Sequence, residues 1–219
     1  MPRGTLIVFE GLDRCGKTTQ TRLCVEGLSR TGVKLAAGLP WRFPDRTTPI
    51  GEVLNTYLTS KTELGDEAAH LLFSANRWEK AATIREALGR GETVVYDRYA
   101  YSGVAYSVAK GLGMEWCLAA DEGLPRPDVV VFLEVGVDEA RGREGFGGER
   151  FEEAETQKRV GAVFDRLKGE GWSVVEGSGR MEEVAERVKA VVWPVVQAVT
   201  GRDDEVGELW GQGVRKRQG

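Results

Sequence analysis

The amino-acid sequence predicts an α/β fold in which a parallel sheet is covered by helices on both faces. Three observations predict it. Short runs of β-branched and aromatic residues alternate with longer helical segments along the 219 residues. The short runs are apolar throughout instead of alternating, as strands buried on both sides are. A glycine-containing loop joins the first run to the first helical segment.

The elements follow in order. Thr5–Glu10 (TLIVFE) is a buried strand, and a helix follows over roughly Lys17–Arg30. Val33–Arg42 is a weaker strand. Pro49–Ser60 and Asp66–Leu88 read as helices, the second opening with the acidic pair that suits a helix N-terminus. Thr93–Asp97 (TVVYD) is the second clear strand. Tyr101–Lys110 and Glu115–Asp121 are helical, and Leu124–Asp128 (LPRPD) is a proline-punctuated loop. Val129–Glu134 (VVVFLE) is a strand, Arg141–Arg150 a Gly/Arg-rich loop, and Glu152–Lys168 a helix. Trp172–Glu176 is the last strand and Met181–Val192 the last helix. After Thr200 the chain turns polar and is expected to fray. There is no repeat and no linker, so one domain over 1–219 is expected.

Composition excludes several classes. Hydrophobic residues make up 41% and charged residues 29%, which is a globular and not a disordered balance. One histidine, His70, rules out a multi-His metal site. Cys15, Cys24 and Cys117 are odd in number without a CxxC pair, against a disulfide framework or a zinc site. No apolar run approaches the roughly 20 residues of a membrane span. The start, MPRGTLIVF, leaves no room for a signal or transit peptide, so a cytoplasmic setting is expected, with the nucleus as a further compartment. The net charge of −4 argues against bulk binding to nucleic acid. It says nothing against a small anion, and the 30 basic residues comprise 21 Arg and 9 Lys. Arginine suits phosphate and carboxylate oxygens.

Gly11-Leu12-Asp13-Arg14-Cys15-Gly16-Lys17-Thr18 matches GxxxxGK[ST] between a strand and a helix. In such a phosphate loop, backbone N–H groups curl around phosphate oxygens at a helix N-terminus. Lys17 would reach the β/γ-phosphates and Thr18 would hold Mg²⁺. Arg14 adds a second cation that can stabilise charge on a transferring phosphoryl group. Asp13 can face an acceptor or cap the loop. Cys15 lies near the helix N-terminus, which tends to lower a thiol pKa, but a small filler is its simpler role.

Three further groupings carry chemistry. Asp97 ends its strand beside the phosphate loop, where a carboxylate can hold Mg²⁺, usually through water, and Arg98 can bridge two reacting phosphates. Phe43-Pro44-Asp45-Arg46 follows the second strand, so Arg46 can grip an acceptor phosphate while Phe43 lines its pocket. Phe73 and Arg77 are i, i+4 on one helix face and can stack a base and hold its polar edge or phosphate. Leu71, Ala75, Trp78 and Ala82 trace another stripe, read as core or subunit contact. The Arg141–Arg150 loop suits a lid that excludes water.

The blocks GLDRCGKTT, FPDR, LLFSANRW, DRYAYSGVAYS, GLPRPD and GFGGERFE occur in this order over nearly the whole chain. Together they resemble the thymidylate kinase family. The resemblance implies a P-loop NTPase fold: a five-stranded parallel sheet flanked by helices on both faces, with a flexible lid over about 141–152. It implies ATP as donor with Mg²⁺, dTMP as acceptor, and a homodimer. It is closer to the eukaryotic-like subtype, which has a basic catalytic residue in the phosphate loop, here Arg14.

Position by position, the resemblance assigns Lys17 and Thr18 to donor phosphates and metal, with Cys15, Gly16 and Thr19 completing the ATP site. Asp97 matches the acid that positions the magnesium shell. Arg46 and Arg98 match arginines on the acceptor phosphate, Phe73 the ring on thymine, and Arg77 the arginine on the base edge. Ser102, Gly103 and Tyr106 match the wall of the base and sugar pocket, which Asp13 and Phe43 adjoin. Arg143 matches a lid residue near adenine and Gln157 a polar residue near thymidine. One departure stands out: where the family's lid often reads ERYE, this chain has Phe151, which offers the sugar no hydroxyl.

Three alternatives stand beside this reading. A non-catalytic nucleotide-binding or structural protein would be expected to have lost Lys17, Arg14 or Asp97, and all three are present. Two others are enzymatic or signalling. One is a kinase for another nucleoside monophosphate or for a deoxynucleoside, since one methyl group gives only ~1–3 kcal/mol of discrimination. The other, a GTPase switch, would need an NKxD guanine reader that the sequence lacks.

Overall fold

The computed structural model describes residues 2–136, 139, 150–151, 153–200 and 202–211. Five strands, β1 (Leu6–Glu10), β2 (Trp41–Arg42), β3 (Val94–Asp97), β4 (Val129–Glu134) and β5 (Trp172–Glu176), form one sheet in the order β2-β3-β1-β4-β5. All neighbours are parallel, with Val8 opposite Tyr96 on one side and Val130 on the other. The helices are α1 (Lys17–Ser29), α2 (Pro49–Leu58), α3 (Asp66–Gly89), α4 (Ala100–Ala109), α5 (Met114–Ala119), α6 (Ala154–Leu167) and α7 (Met181–Thr200).

The continuous apolar strands serve two cores. Leu6, Val8, Val94, Tyr96, Val130 and Phe132 pack with Ile84 and Leu88 of α3, Ala105 of α4 and Phe164 of α6. Ile7, Phe9, Val95, Val131 and Leu133 point the other way, against Leu28 of α1 and Val184, Val188 and Val192 of α7. Successive side chains of a strand face opposite sides, so a strand covered on both faces has no position for a polar residue in its middle. No helix among the described residues is long and apolar enough to cross a membrane.

Three expectations are corrected. The Val33–Arg42 strand shrinks to Trp41–Arg42, with one isolated bridge from Leu35 to Thr93. Gly38 takes a left-handed backbone (φ +75°), and Pro40 has no N–H to give a ladder. The last helix runs past Pro194 to Thr200, because Val188, Val192, Val196 and Val199 continue one buried face whose packing outweighs the lost hydrogen bond. The segment 202–211 does not fray. Leu209 is buried, its N–H donates to Leu124 O at 2.7 Å, and Arg126 N–H donates to Gly207 O at 2.8 Å.

The parallel order puts the C-terminal ends of β1, β2 and β3 side by side, and ligands of such sheets bind beyond those ends. Thr48 caps α2 by accepting from Gly51 N–H at 3.0 Å, with Pro49 at the first helical position. That cap fixes the segment that carries Arg46.

Candidate active site

The loop between β1 and α1 needs unusual backbone. Gly16 caps α1 in a left-handed conformation (φ +97°), and a Cβ on Gly11 would lie 2.6 Å from Leu133 O. Arg14 (φ +59°) and Arg98 (φ +69°) are non-glycine residues at positive φ, and both fall in the loops beyond the sheet. Such strain persists where the surroundings enforce it. The Lys17 ammonium is folded over the loop and donates to Gly11 O at 3.1 Å and Leu12 O at 2.5 Å. Thr18 Oγ1 donates to Asp97 Oδ2 at 2.6 Å, while the buried Asp97 Oδ1 has no hydrogen-bond partner.

Asp13 is a hub. Its carboxylate accepts from the Arg98 guanidinium, from Tyr106 OH at 2.7 Å and from Gln157 Nε2 at 2.7 Å, while its backbone N–H donates to Gln157 Oε1 at 2.9 Å. Burial alone would raise the Asp13 carboxyl pKa, but the Arg98 and Lys17 charges and the two side-chain bonds hold it below the usual range. Arg98 also donates to Ser102 Oγ at 3.0 Å. Ser102 in turn donates to Glu10 Oε2 at 2.5 Å, and Glu10 accepts from the backbone N–H groups of Tyr99 and Ser102. Burial raises the Glu10 pKa against these bonds.

A cavity of about 560 Å³ opens beside these groups. Of the residues singled out in the sequence, Asp13, Arg14, Gly16, Lys17, Thr18, Thr19, Arg46, Phe73, Arg77, Asp97, Arg98, Ser102, Gly103, Tyr106 and Phe151 line it. Phe43 lines it too, but is mostly core, stacked on Tyr96 with centroids 4.6 Å apart. Cys15 and Gln157 do not line it. Cys15 is buried behind the loop, and Gln157 sits behind Asp13, tied to Phe151 O at 2.9 Å. Arg143 and most of the proposed lid lie outside the described residues.

Sequence reasoning missed several supports. Asn76 is fully buried and holds the segment after β2: its Oδ1 accepts from Asp45 N–H at 2.8 Å and its Nδ2 donates to Asp45 O at 3.2 Å. Asn55 accepts from Arg46 Nη1 at 2.9 Å. Asp121 pairs with Arg77 at 2.6 Å. Asn76 lies between Phe73 and Arg77 in the LLFSANRW block, so its position was a usable signal. Asn55, Glu10 and Asp121 carried none.

The family model for thymidylate kinase matches residues 9–188. The chain belongs to the thymidylate kinase family. It is 47% identical over 182 residues to the thymidylate kinase of Arabidopsis thaliana, covering 83% of this chain and 68% of that one. To the thymidylate kinase of Homo sapiens it is 42% identical over 212 residues, covering 95% and 98%. The solved thymidylate kinase of Candida albicans superposes with a TM-score of 0.84 at 35% identity, covering 94% and 98%. The family phosphorylates dTMP with ATP as donor, and this chain is a nucleoside monophosphate kinase of that kind.

The stripe expected as core or contact is not core. Leu71 and Trp78 are 50% and 40% exposed, and α3 buries Ala69, His70, Ser74, Ala81, Ile84 and Leu88 instead.

Proposed function

We propose that this chain transfers the γ-phosphoryl group of ATP directly and in line to the phosphate of dTMP. The donor triphosphate lies in the Gly11–Thr18 loop and the thymine on Phe73 and Arg77. The observation that carries this reading is the convergence of Arg14, Lys17, Arg46 and Arg98 on one cavity that also contains that aromatic ring.

The acceptor phosphate is itself the nucleophile, so no strong general base is required. Catalysis is positioning and charge neutralisation. Lys17 exchanges the carbonyls of Gly11 and Leu12 for the β/γ-phosphates, and Arg14 offsets charge on the transferring group. Cys15 and Gly16 contribute backbone N–H groups, with Thr19 beside them and Arg143 near the adenine. Arg98 lies between the reacting phosphates, and Arg46 holds the acceptor's own. Asp13 and Tyr106 face the sugar, with Gln157 holding Asp13 from behind. Phe43, Ser102, Gly103 and Phe151 complete the acceptor wall.

The residues fit Mg²⁺. Thr18 Oγ1 and Asp97 are adjacent, Asp97 Oδ1 is an orphaned buried oxygen, and no cluster of three or more metal-ligating side chains occurs among the described residues. One carboxylate and one hydroxyl, with phosphates and water for the rest, suit this ion. When bound, Mg²⁺ neutralises charge on the donor phosphates; Thr18 and Asp97 would hold it.

The exposed Leu71 and Trp78 on α3 support a homodimer through that face. Sedimentation of a Leu71→Arg/Trp78→Glu variant should give a monomer, and an unchanged dimer would remove this interface. The chain is read as one kinase domain over 1–219 with a lid over about 141–152. Three free cysteines support a reducing cytoplasmic or nuclear setting.

A coupled ADP-release assay against dTMP, dUMP, dGMP, UMP and thymidine tests the acceptor. Thymidine preferred over dTMP would overturn the reading. Arg14→Ala should lower kcat about 10³-fold with little change in the KM for dTMP. A near-normal kcat would take Arg14 out of the mechanism.

A further inference from the structure

Arg77 lines the cavity but is only 2% exposed, so an unpaired charge there would be costly. Its partner comes from just beyond α5. Arg77 Nε donates to Asp121 Oδ1 at 3.0 Å and Nη2 to Asp121 Oδ2 at 2.6 Å, a two-point fork. Asp121 is fully buried, and Ser74 Oγ lies 2.8 Å from both Asp121 Oδ1 and Ala120 O as a donor. The end of α5 is itself pinned. The buried His70 of α3 donates from Nε2 to Cys117 O at 3.1 Å, which leaves Nδ1 to accept from Ser107 Oγ of α4 at 2.8 Å.

The fork uses Nε–H and one N–H of Nη2. The rest of the guanidinium edge lies against α4 at the cavity wall, where a Cβ on Gly103 would meet Nη2 at 2.7 Å and Nη1 at 2.8 Å. Nη1 has no protein acceptor among the described residues. A neutralised guanidinium with fixed direction differs from a free cation. It keeps donors for a neutral carbonyl oxygen while losing its pull on a phosphate.

We propose that Asp121 is a specificity-determining positioning residue: it orients and neutralises Arg77 so that the guanidinium reads a carbonyl on the edge of the acceptor base. The inference rests on the reading that the base lies on Phe73 and Arg77. A fixed donor rejects a base with an amino group at that place. A loosened one can swing to a neighbouring ring nitrogen and accept it.

The test compares dTMP with 5-methyl-dCMP, which differs by an amino group in place of the 4-carbonyl. In Asp121→Asn, the dTMP KM should rise about tenfold and kcat stay within about threefold, while the dTMP:5-methyl-dCMP ratio of kcat/KM falls about tenfold or more. A folded variant, checked by thermal melting, in which both substrates lose the same factor would overturn the proposal. Asp121→Asn leaves Arg77 buried without its countercharge and can fail to fold. In that event Ser74→Ala decides, with an expected two- to threefold fall of about the size one buttressing hydrogen bond provides; an unchanged ratio overturns the proposal. Arg77→Gln separates the two levels. If it leaves the ratio and the dTMP KM unchanged, the base reading itself falls. If it collapses the ratio while Asp121→Asn does not, only the role of Asp121 falls.

Discussion

Replacing Gly51 with Ala should destabilise the protein and weaken dTMP binding, although Gly51 lies inside α2. Helix propensity alone favours Ala over Gly by about 1 kcal/mol. The tertiary contact reverses the sign. A Cβ at position 51 would lie 1.8 Å from Asp45 O, 2.7 Å from Asp45 C and 2.9 Å from Arg46 Cα. The Asp45 carbonyl would have to retreat by roughly 1.5 Å to reach ordinary contact. It cannot do so freely, because Asn76 holds Asp45 at both its N–H and its C=O. Overpacking costs about 1–3 kcal/mol and each lost hydrogen bond about 1 kcal/mol, so the net loss is about 2 kcal/mol after the propensity gain. For a domain of this size that lowers Tm by roughly 4–8 °C. The same shift moves Arg46, and loss of a charged hydrogen bond to the acceptor phosphate should raise the dTMP KM about tenfold or more. Thermal melting and steady-state kinetics on one preparation measure both effects. A raised Tm with an unchanged KM would refute the reasoning.

Other outcomes are equally open to measurement. The Asp13 carboxyl is held below its ordinary value of 3.8, so its stabilisation is complete above that pH and is lost as pH falls through the lower folded value. Asp13→Asn should therefore flatten the fall of the urea midpoint below about pH 4, and an equally steep fall would remove Asp13 as its source. Burial pushes the Cys24 thiol up to about 12 and Cys117 to about 11, while Cys15 is 1% exposed. A thiol reagent at pH 8 should label the native protein very slowly, since only about one Cys24 in 10⁴ is thiolate, and label all three cysteines in denaturant. Rapid native labelling of Cys24 would contradict its raised thiol pKa. Phe151→Tyr adds a hydroxyl to the cavity wall and should change the preference between deoxyribose and ribose acceptors, or for 3′-modified analogues. Identical relative kcat/KM values would show that the position does not read the sugar.

Much of the site was legible because phosphate chemistry is local in sequence. Gly11 to Thr18 form one loop, and its glycines, lysine and threonine are constrained by adjacent backbone. Asp97 and Arg98 were legible as the end of a strand beside that loop. The supports were not legible. Asp121 looks like a polar residue at a helix end, and nothing local marks it as the partner of Arg77, 44 residues away. Glu10 reads as the last residue of a strand, yet it accepts two backbone N–H groups at the start of α4.

Sequence alone determined the layer architecture, because apolar runs without alternation can only be satisfied by burial on both faces. It also determined the phosphate loop, the arginines around it and the family. Tertiary structure decided the rest. It reduced β2 to two residues, carried α7 through Pro194 along a buried valine face, and docked 202–211 on the loop at Leu124. It also joined Asp13 to Arg98, Tyr106 and Gln157, and Arg77 to Asp121. Buried charge must find a partner in space, and residues far apart in the chain supply it once the sheet brings their loops together.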